Sequence, residues 1–174
     1  MLDGLSCSFR NDGRDLITMR PYKVIDNVLQ NSLGSACVEY GDGKKLLVAI
    51  TGEVANPKGY SKVFIESIAE SNIKVKQKLI SMLSEYVEPF LPVIPISANN
   101  GWGLNIDILL YFPMSLADID YIVLGIKKAF KNLELPFIKE NKNELTSETK
   151  LELCDDMIKG NENDCPRACT IGVV

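Results

Sequence analysis

Apolar and polar residues alternate with the period of a strand through the early part of the chain, then shift to the period of a helix in two later stretches. Tyr22–Asn27, with its β-branched Val24 and Ile25, reads as a first strand, followed by a turn around Asn31. Gly34–Tyr40 and Lys45–Val54 are the second and third, joined by Gly41-Asp42-Gly43, a turn suited to a hairpin. In the third strand Leu46, Val48, Ile50 and Val54 share one face while Leu47 and Ala49 lie on the other, which predicts a central strand covered on both sides. Lys62–Ile68 is a fourth strand, after a polar loop with Pro57 and Gly59.

The period changes at Lys74. Leu79, Leu83, Tyr86, Val87 and Phe90 follow helical spacing, so Lys74 to about Val87 is predicted as an amphipathic helix stopped by Pro89. Val93–Ser97 and Trp102–Tyr111 are the next strands, with Asn99-Asn100-Gly101 as a tight turn between them. In the latter, Leu104, Ile106, Ile108 and Leu110 face one side, Asn105, Asp107 and Tyr111 the other. A second helix starts at Ser115-Leu116-Ala117-Asp118, where Ser115 caps and Asp118 offers a carboxylate at the third position. Its stripe is Ile119, Ile122, Val123, Ile126, Phe130 and Leu133. Lys127, Lys128 and Lys131 suit its negative end, and Pro136 closes it. Residues 139–164 turn polar, a loop from Lys139 to Lys150 and then an edge strand over Lys150–Met157; Arg167–Val174 reads as a further strand. Strands, helix, strands, helix in one domain over residues 1–174 predict an α+β fold, a mixed sheet with helices packed on one side.

At 174 residues the chain is long enough to bury about 70% of its unfolded surface in one core. Its apolar content of 46% and charged content of 24% are those of a globular protein. The apolar runs Lys45 to Ile50 and Ile106 to Met114 are too short to span a bilayer, and no basic segment precedes an apolar core at the N-terminus, so neither membrane span nor secretory signal is expected. Cys7, Cys37, Cys154, Cys165 and Cys169 are odd in number and irregular in spacing, which argues against a disulfide framework and for a reducing compartment. Zinc is disfavoured too: the Cys165/Cys169 spacing is loose, and no histidine exists to complete a tetrahedron. The absence of histidine excludes Ser-His-Asp and Cys-His catalysis. A net charge of −4, with Arg10, Arg14, Arg20 and Arg167 the sole arginines, argues against stand-alone nucleic-acid binding.

A spaced series of short motifs adds what periodicity does not. Asp12-Gly13-Arg14, Arg20-Pro21, Asn31-Ser32-Leu33-Gly34-Ser35-Ala36 and Gly52-Glu53-Val54-Ala55-Asn56-Pro57 resemble, in this order, the opening of the RNase PH family. Lys58-Gly59-Tyr60, the Trp102 strand with its Asp107, and Ala129 to Pro136 are similar to later family motifs; Pro166 to Gly172 resembles a later strand faintly. The stretch looks most like the RNase PH-like subunits of the exosome ring, nearest the ribosomal RNA-processing protein 42 type. The resemblance implies an RNase PH-like fold, C-terminally shortened within its last strand at Val174, with Asp12, Gly13, Gly34, Ser35, Trp102 and Asp107 as structural motif residues.

Two departures bear on activity. Active members carry paired arginines entering the first helix, where bidentate guanidinium groups clamp phosphate. Here that segment is Ile73-Lys74-Val75-Lys76-Gln77-Lys78. Nor does any residue match the family's general acid. The resemblance therefore implies an inactive subunit without a cofactor, in a hetero-hexameric ring of paralogous RNase PH-like chains with S1/KH cap subunits, an associated catalytic nuclease and RNA in the channel, in nucleus and cytoplasm. Truncation in a strand predicts an open sheet edge and self-association of the isolated chain. The competing expectation is an active phosphate-dependent 3′→5′ exoribonuclease, its missing groups supplied by a paralogous neighbour; a third is a diverged stand-alone domain.

Arg14, Arg20, Lys74, Lys76 and Lys78 are the candidates for contact with RNA or with a neighbouring subunit. Against this, arginines beside turns commonly bind carboxylates or carbonyls, and lysines on a helix commonly face solvent. Asp107 mid-strand invites a catalytic role, yet a carboxylate without a matched partner is more often hydrogen-bonded structure. Gly34 and Gly52 mark either close approach of a ligand or a tight helix–sheet contact. Trp102 suits core packing better than base stacking.

Overall fold

Gly41 and Gly43 take φ of +55° and +83°, conformations open to glycine, and so reverse the chain between β2 (Gly34–Tyr40) and β3 (Lys44–Ala55). The computed structural model describes residues 13, 18, 20–41, 43–55, 58–68, 73–113, 115, 118–142 and 149–161. β1 (Tyr22–Asp26) pairs antiparallel with β2, and Asn27 ends it at φ 51°, its N–H donating to the Ser35 carbonyl. β5 (Gly101–Leu110) inserts between β3, antiparallel, and β4 (Tyr60–Ser67), parallel. The five-stranded sheet has the order β1-β2-β3-β5-β4. A separate antiparallel ribbon joins β6 (Glu134–Lys142) to β7 (Thr149–Lys159).

The core lies on one face of the sheet. Ala36, Val38, Leu46, Val48, Ile50, Leu104, Ile106, Ile108 and Leu110 are buried there, beneath α2 (Ile119–Lys131). Ile122, Ile126 and Phe130 on the helix are fully buried, each stabilising the fold by about 1.5–3 kcal/mol. Gly125 lets α2 settle on β3, since a Cβ there would stand 2.8 Å from Val48 Cγ2. The first helix, α1 (Ile73–Tyr86), packs on β4 and runs into a 3-10 turn at Glu88–Phe90. Leu83 and Val87 enter the core as their spacing predicts, whereas Tyr86 and Phe90 stay exposed.

Several sequence-based expectations require correction. Val93–Ser97 is not a strand: both edges of β5 are occupied by β3 and β4, and an isolated Pro95–Gly101 bridge is all the pairing left to it. The Asn100 turn is held locally, with Ile96 and Ser97 N–H donating to the Asn100 carbonyl. Pro136 does not close α2, which ends at Lys131; it lies inside β6, beside the irregularity that precedes Ile138. Lys139–Lys142, expected in a loop, belongs to β6 together with Glu134–Ile138, because pairing with β7 satisfies its backbone while Leu135 and Ile138 turn inward. β3 is central in the sheet but fully covered on one face alone, with Leu47 and Ala49 half-buried on the other. The expected cap at Ser115 is not formed: α2 starts at Ile119 with Asp118 in the N-cap position, and the Asp118 carboxylate accepts both the Ser115 N–H (2.8 Å) and the Ser115 hydroxyl (2.7 Å). The expected strand Arg167–Val174 lies outside the described residues, as do Cys7, Cys165 and Cys169.

Beside that turn, Tyr40 stacks on Tyr121 at 3.7 Å and meets Phe112 edge-on. Burial first, then the Asp118 carboxylate, pushes the Tyr40 phenol far above its ordinary value, and burial pushes the Cys37 thiol up as well. The folded protein keeps protons that the unfolded chain releases, so this stability is complete below the unfolded-state values and declines as pH rises past about 9–10. The buried Tyr40 hydroxyl makes no well-formed hydrogen bond among the described residues, and Asp118 acts on it chiefly through its charge. Tyr40→Phe is therefore expected to leave the urea midpoint at pH 7 within about 1 kcal/mol of the parent and to flatten the decline above pH 10. A variant as alkali-sensitive as the parent would contradict this.

Candidate functional site

The strand period that turns the half-buried Val63 and the buried Ile65 to the core puts Lys62, Phe64 and Glu66 of β4 on the opposite face of the sheet. Register then places Phe64 beside Asp107 and Glu66 beside Leu109 of β5, with Ala49 and Leu47 of β3 on their far sides. Leu29 and Lys76 complete the lining of a cleft of about 450 Å³. Leu47, Ala49 and Leu109 make an apolar floor, and Phe64, 51% exposed, stands over it. The Leu29 loop is pinned by Ser35, buried, whose hydroxyl accepts from Leu29 N–H at 2.9 Å. The ridge of β2 against α2 explains Gly34: a Cβ there would collide with the Ala129 carbonyl and stand 3.0 Å from Leu133 Cα. Gly52 approaches side chains instead, Leu33 above all.

Two sequence candidates, Asp107 and Lys76, come together in the cleft. Asp107, Glu66 and Lys76 have no hydrogen bond or ion pair among the described residues. Lys74 and Lys78 are exposed on α1 and do not line it. Arg20 lies beside the β2–β3 turn, its Nη1 4.0 Å from where a Gly41 Cβ would stand. Gly13, at φ +80°, sits on the surface, and Asp12 and Arg14 lie outside the described residues. Trp102 is buried, which removes its ring from any stacking role. Its neighbours Gly59 and Gly101 explain the crowding, since a Cβ on either would meet the other segment's backbone. Phe64, Glu66, Leu29, Leu47 and Leu109 were not singled out from sequence, although the alternation Lys62-Val63-Phe64-Ile65-Glu66 carried the signal for two of them.

Chemically, the cleft offers apolar surface, two carboxylates and one ammonium. Among the described residues no guanidinium lines it, and no group of three histidine, cysteine or acidic side chains is placed to hold a metal ion.

No protein-family model matches the sequence, and no characterised protein matches it by sequence. Solved structures do share the fold. A chain of the archaeal exosome core superposes with a TM-score of 0.57 at 20% identity, over 87% of this chain and 62% of that one. A chain of the Archaeoglobus fulgidus exosome with RNA bound to the active site gives a TM-score of 0.55 at 19% identity, over 78% of this chain and 60% of that one. The chain thus spans about three fifths of the length of these exosome chains, and its mixed sheet with helices has their RNase PH-like fold.

Proposed function

We propose that this chain is a non-catalytic, RNase PH-like structural subunit of an exosome-type hexameric ring that supports 3′→5′ RNA processing and decay. What carries the reading is the cleft, where, among the described residues, Lys76 is the one cation and stands with two carboxylates in the region that active members furnish with paired arginines. A phosphate approaching it would meet Asp107 and Glu66, and one lysine does not reproduce a bidentate guanidinium clamp. The fold shared with exosome chains supports a ring role, and the motif series favours the ribosomal RNA-processing protein 42 type. The partners would be paralogous RNase PH-like chains, cap subunits of the S1/KH type, a separate nuclease, and RNA in the common channel. Nucleus and cytoplasm are the expected compartments.

Native mass spectrometry of the tagged chain, purified from its own cells at low salt, tests this. The expected result is a stoichiometric assembly with several other RNase PH-like chains. A lone monomer or a homohexamer would overturn the proposal. Phosphate-dependent release of nucleoside diphosphates from RNA by the pure chain would replace it with an active exoribonuclease.

A further inference from the structure

We propose that the cleft on the sheet face opposite α2 is a docking site for a segment of another protein, one that seats an apolar side chain against Phe64 and Leu109 and an arginine or lysine against Asp107 and Glu66. The inference deepens the reading of the chain as a member of a multi-protein assembly, and rests on it.

The apolar part of the argument is the continuity of the surface. Leu47, Ala49 and Leu109 form the floor, half-buried, and Phe64 rises from it with about half its surface in water. Along the same face the row continues through Ile25, paired with Cys37, which pairs in turn with Leu47. Ile25 and Leu29 are exposed as well. The apolar surface of β3, β5 and β4, with Leu29 and, beyond the buried Cys37, Ile25 at its margin, is framed by polar groups and is of the kind that protein interfaces use.

Charge decides the occupant. Asp107 and Glu66 stand diagonally across the β4–β5 pairing, on the same face, flanking Phe64 and Leu109. Neither has an ion pair or hydrogen bond among the described residues, and no described cation neutralises them. Two unpaired carboxylates on an apolar floor are complementary to a cation with an apolar neighbour, and a guanidinium or ammonium brought there is paired as it is desolvated. RNA fits poorly: among the described residues its phosphates would face two carboxylates with Lys76 alone to offset them, on a chain of net charge −4. Lys76, at the rim, is placed to hold a carboxylate or carbonyl of the incoming segment.

The test is photo-crosslinking in the full chain, expressed in its own cells. A benzophenone analogue of phenylalanine replaces Phe64, and in a second strain Lys76, which is half-buried at the cleft rim on a helix and so spares the sheet if the first substitution disturbs it. The expected product, mapped by peptide mass spectrometry, joins the probe to a segment of another protein with an arginine or lysine next to an apolar residue. Combining the probe with Asp107→Asn and Glu66→Gln is expected to lower the yield about fivefold or more, whereas Lys23→Gln, on the same face outside the cleft, leaves it unchanged. Reversing the partner's basic residue to glutamate removes the product, and adding Asp107→Lys restores it. Crosslinks to RNA, to this chain itself, or to a segment without a basic residue overturn the proposal, as does an absence of product from both positions. The two readings fail separately. A ring seen by native mass spectrometry with no protein crosslink sinks the docking site alone, and a crosslink to a basic segment of a protein outside any such ring sinks the assembly alone.

Discussion

Gly34→Ala is expected to destabilise the protein by about 3 kcal/mol or more, because the added methyl has nowhere to go. It would collide with the Ala129 carbonyl and press on Leu133 Cα at 3.0 Å and Leu133 N at 3.1 Å, all of them backbone atoms. The strand cannot retreat without loss. Leu33 N–H donates to the Ile50 carbonyl at 2.9 Å, and Glu134 N–H donates to the Leu33 carbonyl at 2.8 Å, so the same few residues tie β2, β3 and the exit of α2 together. Overpacking of this kind costs about 1–3 kcal/mol, and each hydrogen bond stretched adds about 1. Urea denaturation compared with the parent reads the effect in the midpoint. A change below 1 kcal/mol would mean that α2 does not sit on β2 as described.

The second large effect is expected at Lys44. Its Nζ lies 3.1 Å from Asp118 Oδ1, and that carboxylate is almost wholly buried while the lysine side chain remains one-third exposed. Asp118 also accepts the Ser115 N–H and hydroxyl, so the Lys44 ammonium is what balances its charge. Breaking a buried pair by removing one partner costs about 3–5 kcal/mol; the exposure of Lys44 admits water, which brings the expectation for Lys44→Met down to about 2 kcal/mol. The ammonium also sits 4.8 Å from the centroid of the Phe112 ring, a contact the thioether replaces in part. Adding Asp118→Asn should recover at least half of the loss, because the uncharged amide oxygen still accepts from Ser115 and no longer needs a counter-charge. If the double variant is as unstable as the sum of the two singles, the pair carries no coupling and the assignment is wrong.

Five of the sequence-predicted strands, β1 to β5, fall where alternation and turns put them, because a strand with one face on a core declares itself by its period. α2 was legible for the same reason. What failed was whatever depends on distant residues. Val93–Ser97 has the composition of a strand but arrives at a β5 whose two edges are already taken. Lys139–Lys142 has the composition of a loop and becomes the end of a strand because β7 lies ready to pair with it. Local composition encodes propensity, and the availability of a partner decides. At the site, Asp107 and Lys76 were visible as isolated charges, but their meeting depends on how α1 lies against β4. Phe64 passed unremarked because an exposed aromatic becomes informative only when its neighbours across the strands are known.

The insertion of β5 between β3 and β4 sets an order of events during synthesis. The hairpins β1–β2 and β2–β3 need only adjacent residues and can close within microseconds of leaving the ribosome. β4 has no partner in the sheet at that stage, since its neighbour β5 begins some forty residues later, at Gly101. Until Leu110 has emerged, the apolar side chains of β4 and the open edge of β3 are both exposed to other nascent chains. The parallel β4–β5 pairing therefore forms late and by a long loop closure, the slow class of contact. That interval, rather than the finished fold, is when this chain would most need a chaperone.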